Sequence, residues 1–109
     1  MKVLVIISSD NLDVAKTGLM WAINAIRNKW VDDVEVIFFG PIERAIAEGN
    51  RELIELISSL VEARKQPLAC RRIAEVEGYL EKLEDKIQTI YVGSRIAELM
   101  SKGYIPLVF

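Results

Sequence analysis

Val3-Leu4-Val5-Ile6-Ile7 decides the fold. Five apolar residues stand in a row without alternation, so both faces of this segment need cover. A strand of a parallel sheet with helices above and below reads this way. Ser8-Ser9-Asp10-Asn11 ends the run with turn and cap residues. The period then changes. Leu12, Ala15, Leu19, Ala22, Ile23 and Ile26 recur at helical spacing and predict a helix from Leu12 to about Asn28. Gly18 weakens that helix by about 1 kcal/mol relative to alanine, which implies close packing against the sheet.

The same change of period repeats along the chain. Asp32-Asp33 is a polar break, and Val34–Phe39 is a second strand interrupted only by Glu35. Gly40-Pro41 turns the chain into a short helix ending near Gly49. Asn50 caps a helix whose buried face is Leu53, Leu56, Ile57, Leu60 and Val61, and Arg64-Lys65 meet its negative end. Pro67 begins a short third strand toward Cys70. Ile73, Val76 and Leu80 continue at helical spacing around Gly78, and Tyr79–Lys86 reads as a frayed helical turn or a loop. Thr89–Val92 is a fourth strand. Gly93-Ser94 is a turn, with Ser94 capping a helix that carries Ile96, Leu99 and Met100. Gly103 closes that helix, and Tyr104–Phe109 is the last strand. The pattern predicts one domain over residues 1–109, an α/β fold. Its form is a three-layer α/β/α sandwich with a mainly parallel five-stranded sheet.

Composition narrows the function. With 51% apolar and 28% charged residues the chain is globular, and 109 residues give one modest core. A formal net charge of -2 gives no long-range attraction to nucleic acid. No segment approaches the ~20 apolar residues of a membrane span. The apolar run after Met1-Lys2 is too short for a signal peptide, and the expected location is cytoplasmic. A single cysteine makes no internal disulfide. Histidine is absent, which removes the usual general base and the commonest metal ligand, so no metal site is expected. Neither glycine-rich nucleotide motif occurs, and no cofactor is expected.

In such folds small ligands bind beyond the carboxyl ends of the strands. The predicted loops there are Ser8–Asn11, Gly40–Pro41, Cys70–Arg72 and Gly93–Ser94. Cys70 is the candidate catalytic residue. A thiol where a strand hands over to a helix meets helix amides and the charges of Arg71 and Arg72, and both favour thiolate. Such a thiolate can attack a sulfane sulfur and hold it as a persulfide. The competing reading is a small buried hydrophobe, the commoner fate of a free cysteine. Arg71 and Arg72 suit an anionic sulfur donor or an acidic partner, or simply face water. Ser8, Ser9, Asn11, Gly40 and Gly93 complete the candidate anion-binding rim, though helix capping by itself accounts for Ser8–Asn11. Trp21, Trp30, Phe38, Phe39 and Phe109 read as core by default. The apolar last strand implies an edge hidden against another subunit, hence a homo-oligomer. The acidic run from Glu75 to Asp85 reads as a solvated face, and no pair of carboxylates stands out for acid–base work.

Taken together, four stretches resemble the DsrE/DsrF-like family of small sulfur-relay proteins. They are the opening strand Lys2–Ser8, "VEVIFFGPIERAI" from Val34 to Ile46, "PLACRR" from Pro67 to Arg72, and "GSRIAELMSKGYIPLVF" from Gly93 to Phe109. The resemblance implies a three-layer α/β/α fold and self-association. It also implies sulfur carried as a persulfide on Cys70 between donor and acceptor proteins. Two other functions fit the same fold: a non-catalytic oligomeric adaptor, and a module that binds a small molecule or nucleotide at the strand-end rim.

Overall fold

A computed structural model describes residues 1–109. In chain order the elements are β1 (Lys2–Ile7), α1 (Leu12–Arg27), β2 (Asp33–Phe38), α2 (Ile42–Ala47), α3 (Arg51–Glu62) and β3 (Leu68–Cys70). There follow α4 (Arg71–Glu77), α5 (Leu80–Glu84), β4 (Gln88–Ile90), α6 (Val92–Ser101) and β5 (Tyr104–Val108). All strands are parallel, in the order β4-β3-β2-β1-β5. From β1 to β4 the chain steps steadily toward one edge. It then jumps back across the whole sheet to β5. A right-handed crossover that reverses direction must change face. Accordingly α1, α2, α3 and α5 pack on one side and α6 on the other, making three layers.

Register explains both layers. Val3, Val5 and Ile7 of β1 pair with Val34, Val36 and Phe38 of β2 and point toward α1 and α3. Leu4 and Ile37 point the other way and meet Val92 and Leu99 of α6, in a cluster that also holds Cys70. The opening run is therefore apolar on both faces, as its lack of alternation requires. At Gly18 the approach of α1 to the sheet is close: an added Cβ would stand 2.5 Å from Phe109 and 2.6 Å from Ile7. Edge strand β5 leaves Ile105 and Val108 exposed, and Pro106 is tolerated because an edge needs no outward amide. No helix is long and apolar enough to cross a membrane.

Several boundaries differ from the sequence reading. Gly78 does not sit mid-helix: it ends α4 at φ 82°, and Leu80 begins the separate α5. Strand β4 stops at Ile90, because β3 offers only Leu68, Ala69 and Cys70 as partners. Val92 to Ser94 are already the first turn of α6, so Gly93 is helical and Ser94 is not its cap. Trp30 is 57% exposed, standing in the turn after α1 with its ring 6.4 Å from that of Trp21.

Candidate functional site

At the carboxyl end of the sheet the first loop is occupied by local structure. The Asn11 side chain accepts from the amides of Asp13 and Val14 and caps α1, and Ser9 Oγ accepts from the amide of Asn11. The backbone oxygen of Phe109 accepts from the amides of Ser8 and Ser9, at 2.7 and 3.3 Å. Ser8, Ser9 and Asn11 therefore form a cap and a chain-end clasp, and they do not present free amides to an anion. Gly93, within α6, does not join them.

The next loop is set by Gly40. Its φ of 142° is a conformation glycine alone adopts readily, and a Cβ there would lie 2.3 Å from Ser8 Oγ. This close passage drops Pro41 and α2 directly against the ends of β2 and β3. A cleft of about 510 Å³ opens above, walled by Asp10, Gly40, Arg44, Ile73, Glu77 and Tyr79. Arg44 reaches across it, donating to Glu77 at 3.0 Å and standing 5.1 Å from the Tyr79 ring centre.

Cys70 ends β3 and is the N-cap residue of α4. The strand direction turns its side chain to the α6 face, where Leu4, Ile37, Val92 and Leu99 surround it and leave it 4% exposed. It makes no capping hydrogen bond to the α4 amides. The arginines after it are not turned to the sulfur as expected. Arg71 donates to Glu84 at 3.0 Å and lies 3.6 Å from Glu75, whose carboxylate also accepts from the Tyr91 hydroxyl. Arg72 is exposed and forms no ion pair. An α4 position adjacent in sequence points a long side chain outward along the helix surface, away from a residue facing the sheet.

The structure adds a residue that the sequence reading missed. Glu43, in the first turn of α2, is fully buried, and neither carboxyl oxygen has a hydrogen-bond partner. Burial pushes its pKa up to about 7; the nearby amides of Gly40 and Cys70 pull it down, but neither closes a full hydrogen bond. Tyr79, 8% exposed, faces it. Burial and then the charge of Glu43 raise the phenol to about 12. A glutamate in a first helical turn normally reads as a solvated charge favoured by the helix dipole. The one available signal was its place in a stripe with Ile42, Ile46 and Ala47, all buried.

No protein-family profile matches the chain, and no curated protein does. Among solved structures, a conserved protein of unknown function from Bacteroides thetaiotaomicron, BT1422, has a similar fold at a TM-score of 0.83 and 22% identity. The match covers 99% of this chain and 95% of that one. The similarity is one of fold.

Proposed function

We propose that the protein is a small sulfur-relay protein of DsrE-like type that carries sulfane sulfur on Cys70 between a donor and an acceptor protein. The observation that carries this reading is the placement of the chain's one thiol. It closes β3 where the crossovers part, α4 and α5 toward one face and α6 toward the other, with the buried acid Glu43 beside its backbone amide. The exchange is Cys70–SH with R–S–SH, giving Cys70–S–SH and R–SH. The Cys70 sulfur bonds to the outer sulfur, the donor S–S bond breaks, and the thiol proton ends on the leaving thiolate, with no external oxidant. A thiol must be reduced to accept sulfur, and a compartment that keeps thiols reduced suits it, so a cytoplasmic location belongs to the proposal. So does a homo-oligomer, supported by the exposed Ile105, Leu107 and Val108 on edge strand β5. At 4% exposure the sulfur is shielded in the closed form, and transfer requires its cover to move.

The test is to incubate the reduced, folded protein with a small-molecule persulfide donor and read the mass of the Cys70 peptide. A gain of one sulfur, absent in Cys70→Ser, supports the relay; an unchanged mass removes it. The cleft above Glu43 favours a second reading, a small-molecule-binding module on the same rim. A ligand that raises the melting temperature of wild type and Cys70→Ser equally, with no sulfur uptake, would favour that module.

A further inference from the structure

The cleft between α2 and α4 has a built wall. Pro41, Arg44, Ala45 and Glu48 follow one another at helical spacing and turn one face of α2 to it, while Ile42, Glu43, Ile46 and Ala47 turn to the core. On the other side Gly78 ends α4 at φ 82°, and the turn folds the chain back so that the Tyr79 amide donates to the Ala74 oxygen at 3.1 Å. That turn sets the phenol of Tyr79 into the wall, 8% exposed. Its hydroxyl feels the charges of Glu43 beneath and of Arg44 and Glu77, the pair that spans the cleft, yet it hydrogen-bonds to none of them. Covering a hydroxyl without a partner costs stability, so a group that reaches it from the cleft and bonds it is favoured.

The charges around the cleft select the kind of group. Arg44 and Glu77 neutralise each other at 3.0 Å, whereas Asp10 and Glu48 form no ion pair. The one guanidinium that an anionic ligand could use is thus engaged, and two carboxylates are free. The Tyr79 ring already carries a cation, with Arg44 5.1 Å from its centre. Ala45 and Ile73 add apolar wall against which a methylene chain can lie. At about 510 Å³ the cleft has the size of a small-ligand site.

We propose that this cleft binds a small aliphatic polyamine, with one ammonium group on the Tyr79 hydroxyl and others on the carboxylates of Asp10 and Glu48. The inference rests on the reading of the cleft as a binding module and names its ligand class; it does not depend on sulfur chemistry at Cys70.

The experiment titrates the isotope-labelled protein with spermidine at about 0.15 M salt, where loose surface attraction is screened, and follows the backbone amides by NMR. Saturable shifts are expected at Gly40–Glu48 and Ile73–Tyr79. Tyr79→Phe, which removes only the hydroxyl, weakens binding about tenfold. Glu48→Gln weakens it by about threefold or more, and Glu55→Gln, which removes an exposed carboxylate from α3, leaves it within about twofold. Should Tyr79→Phe not fold, Glu48→Gln and Asp10→Asn, both on the surface, decide against the same control. Shifts that never saturate or spread over the acidic surface overturn the proposal, as does equal weakening by Glu48→Gln and Glu55→Gln. Glutarate, a dicarboxylate, separates the ligand class from the module. If it shifts the cleft residues and spermidine does not, the polyamine is wrong and the binding module stands; if neither shifts them, both are removed.

Discussion

The two ends of the sheet treat buried polar groups in opposite ways. At the amino end, on the α6 face, Asp33 accepts from Lys65 and from the Tyr104 hydroxyl, and Lys65 also lies 3.7 Å from Glu35. Lys2 completes the set, 5.0 Å from the centre of the Tyr104 ring. Burial works to raise the pKa of Asp33, but the bonds from Lys65 and Tyr104 outweigh it and hold the carboxyl below its usual value. At the carboxyl end Glu43 is more deeply buried and has no partner. A satisfied cluster rigidifies the fold and needs no further explanation, whereas an unsatisfied one is a reserve that motion or chemistry can use.

The contrast has a sign. Asp33 has a lowered pKa, so its contribution is present above about pH 4 and is lost as pH falls through the folded value. Glu43 has a raised pKa, so its contribution is full below about pH 4.5 and is lost as pH rises through about 7. The largest expected effect follows at the carboxyl end. Glu43→Leu removes the loss on going from pH 5 to pH 8, at most about 3 kcal/mol after integrating the shift. Urea unfolding at the two pH values checks this; a wild type and variant with parallel pH profiles would erase the contrast. Next, Gly40→Ala forces a side chain onto Ser8 at a φ that alanine resists, and should cost about 2 kcal/mol or more in the same assay. Stability within 0.5 kcal/mol of wild type, by contrast, would mean that the turn carrying α2 is not held by this passage.

At the amino end, Lys65→Met should cost about 1 kcal/mol at pH 7 and less at acidic pH, as Asp33 takes up its proton. An equal loss at both pH values would assign Lys65 to packing instead. The smallest effect is at Arg72, which is exposed and forms no ion pair: Arg72→Ala should leave stability within about 0.5 kcal/mol. The same variant tests whether that guanidinium serves an anionic donor, since loading by a charged donor would slow while loading by a neutral one would not.

Much of the architecture was legible because unbroken apolar runs and helical stripes answer to burial, and burial is what layers require. Val3–Ile7 demanded cover on two sides and has it. Gly18 implied a close approach and makes one. The end of β4 was not legible. Thr89 to Val92 has strand-like composition, yet the three-residue β3 leaves nothing for Tyr91 and Val92 to pair with. The site was read in halves. The place of Cys70 at the end of β3 followed from the order of elements; the apolar surroundings of its sulfur did not. The orientation of Arg71 depends on Glu84, 13 positions away, which no local pattern encodes, and the burial of Glu43 was signalled only by its place in the stripe with Ile42, Ile46 and Ala47.

The most direct test of the central claim is the mass of the Cys70 peptide after a persulfide donor is offered to the reduced, folded protein at pH 8. The account predicts one added sulfur on Cys70 of the folded chain. A folded protein that stays unmodified, under conditions in which its urea-unfolded form takes up the sulfur, would contradict it.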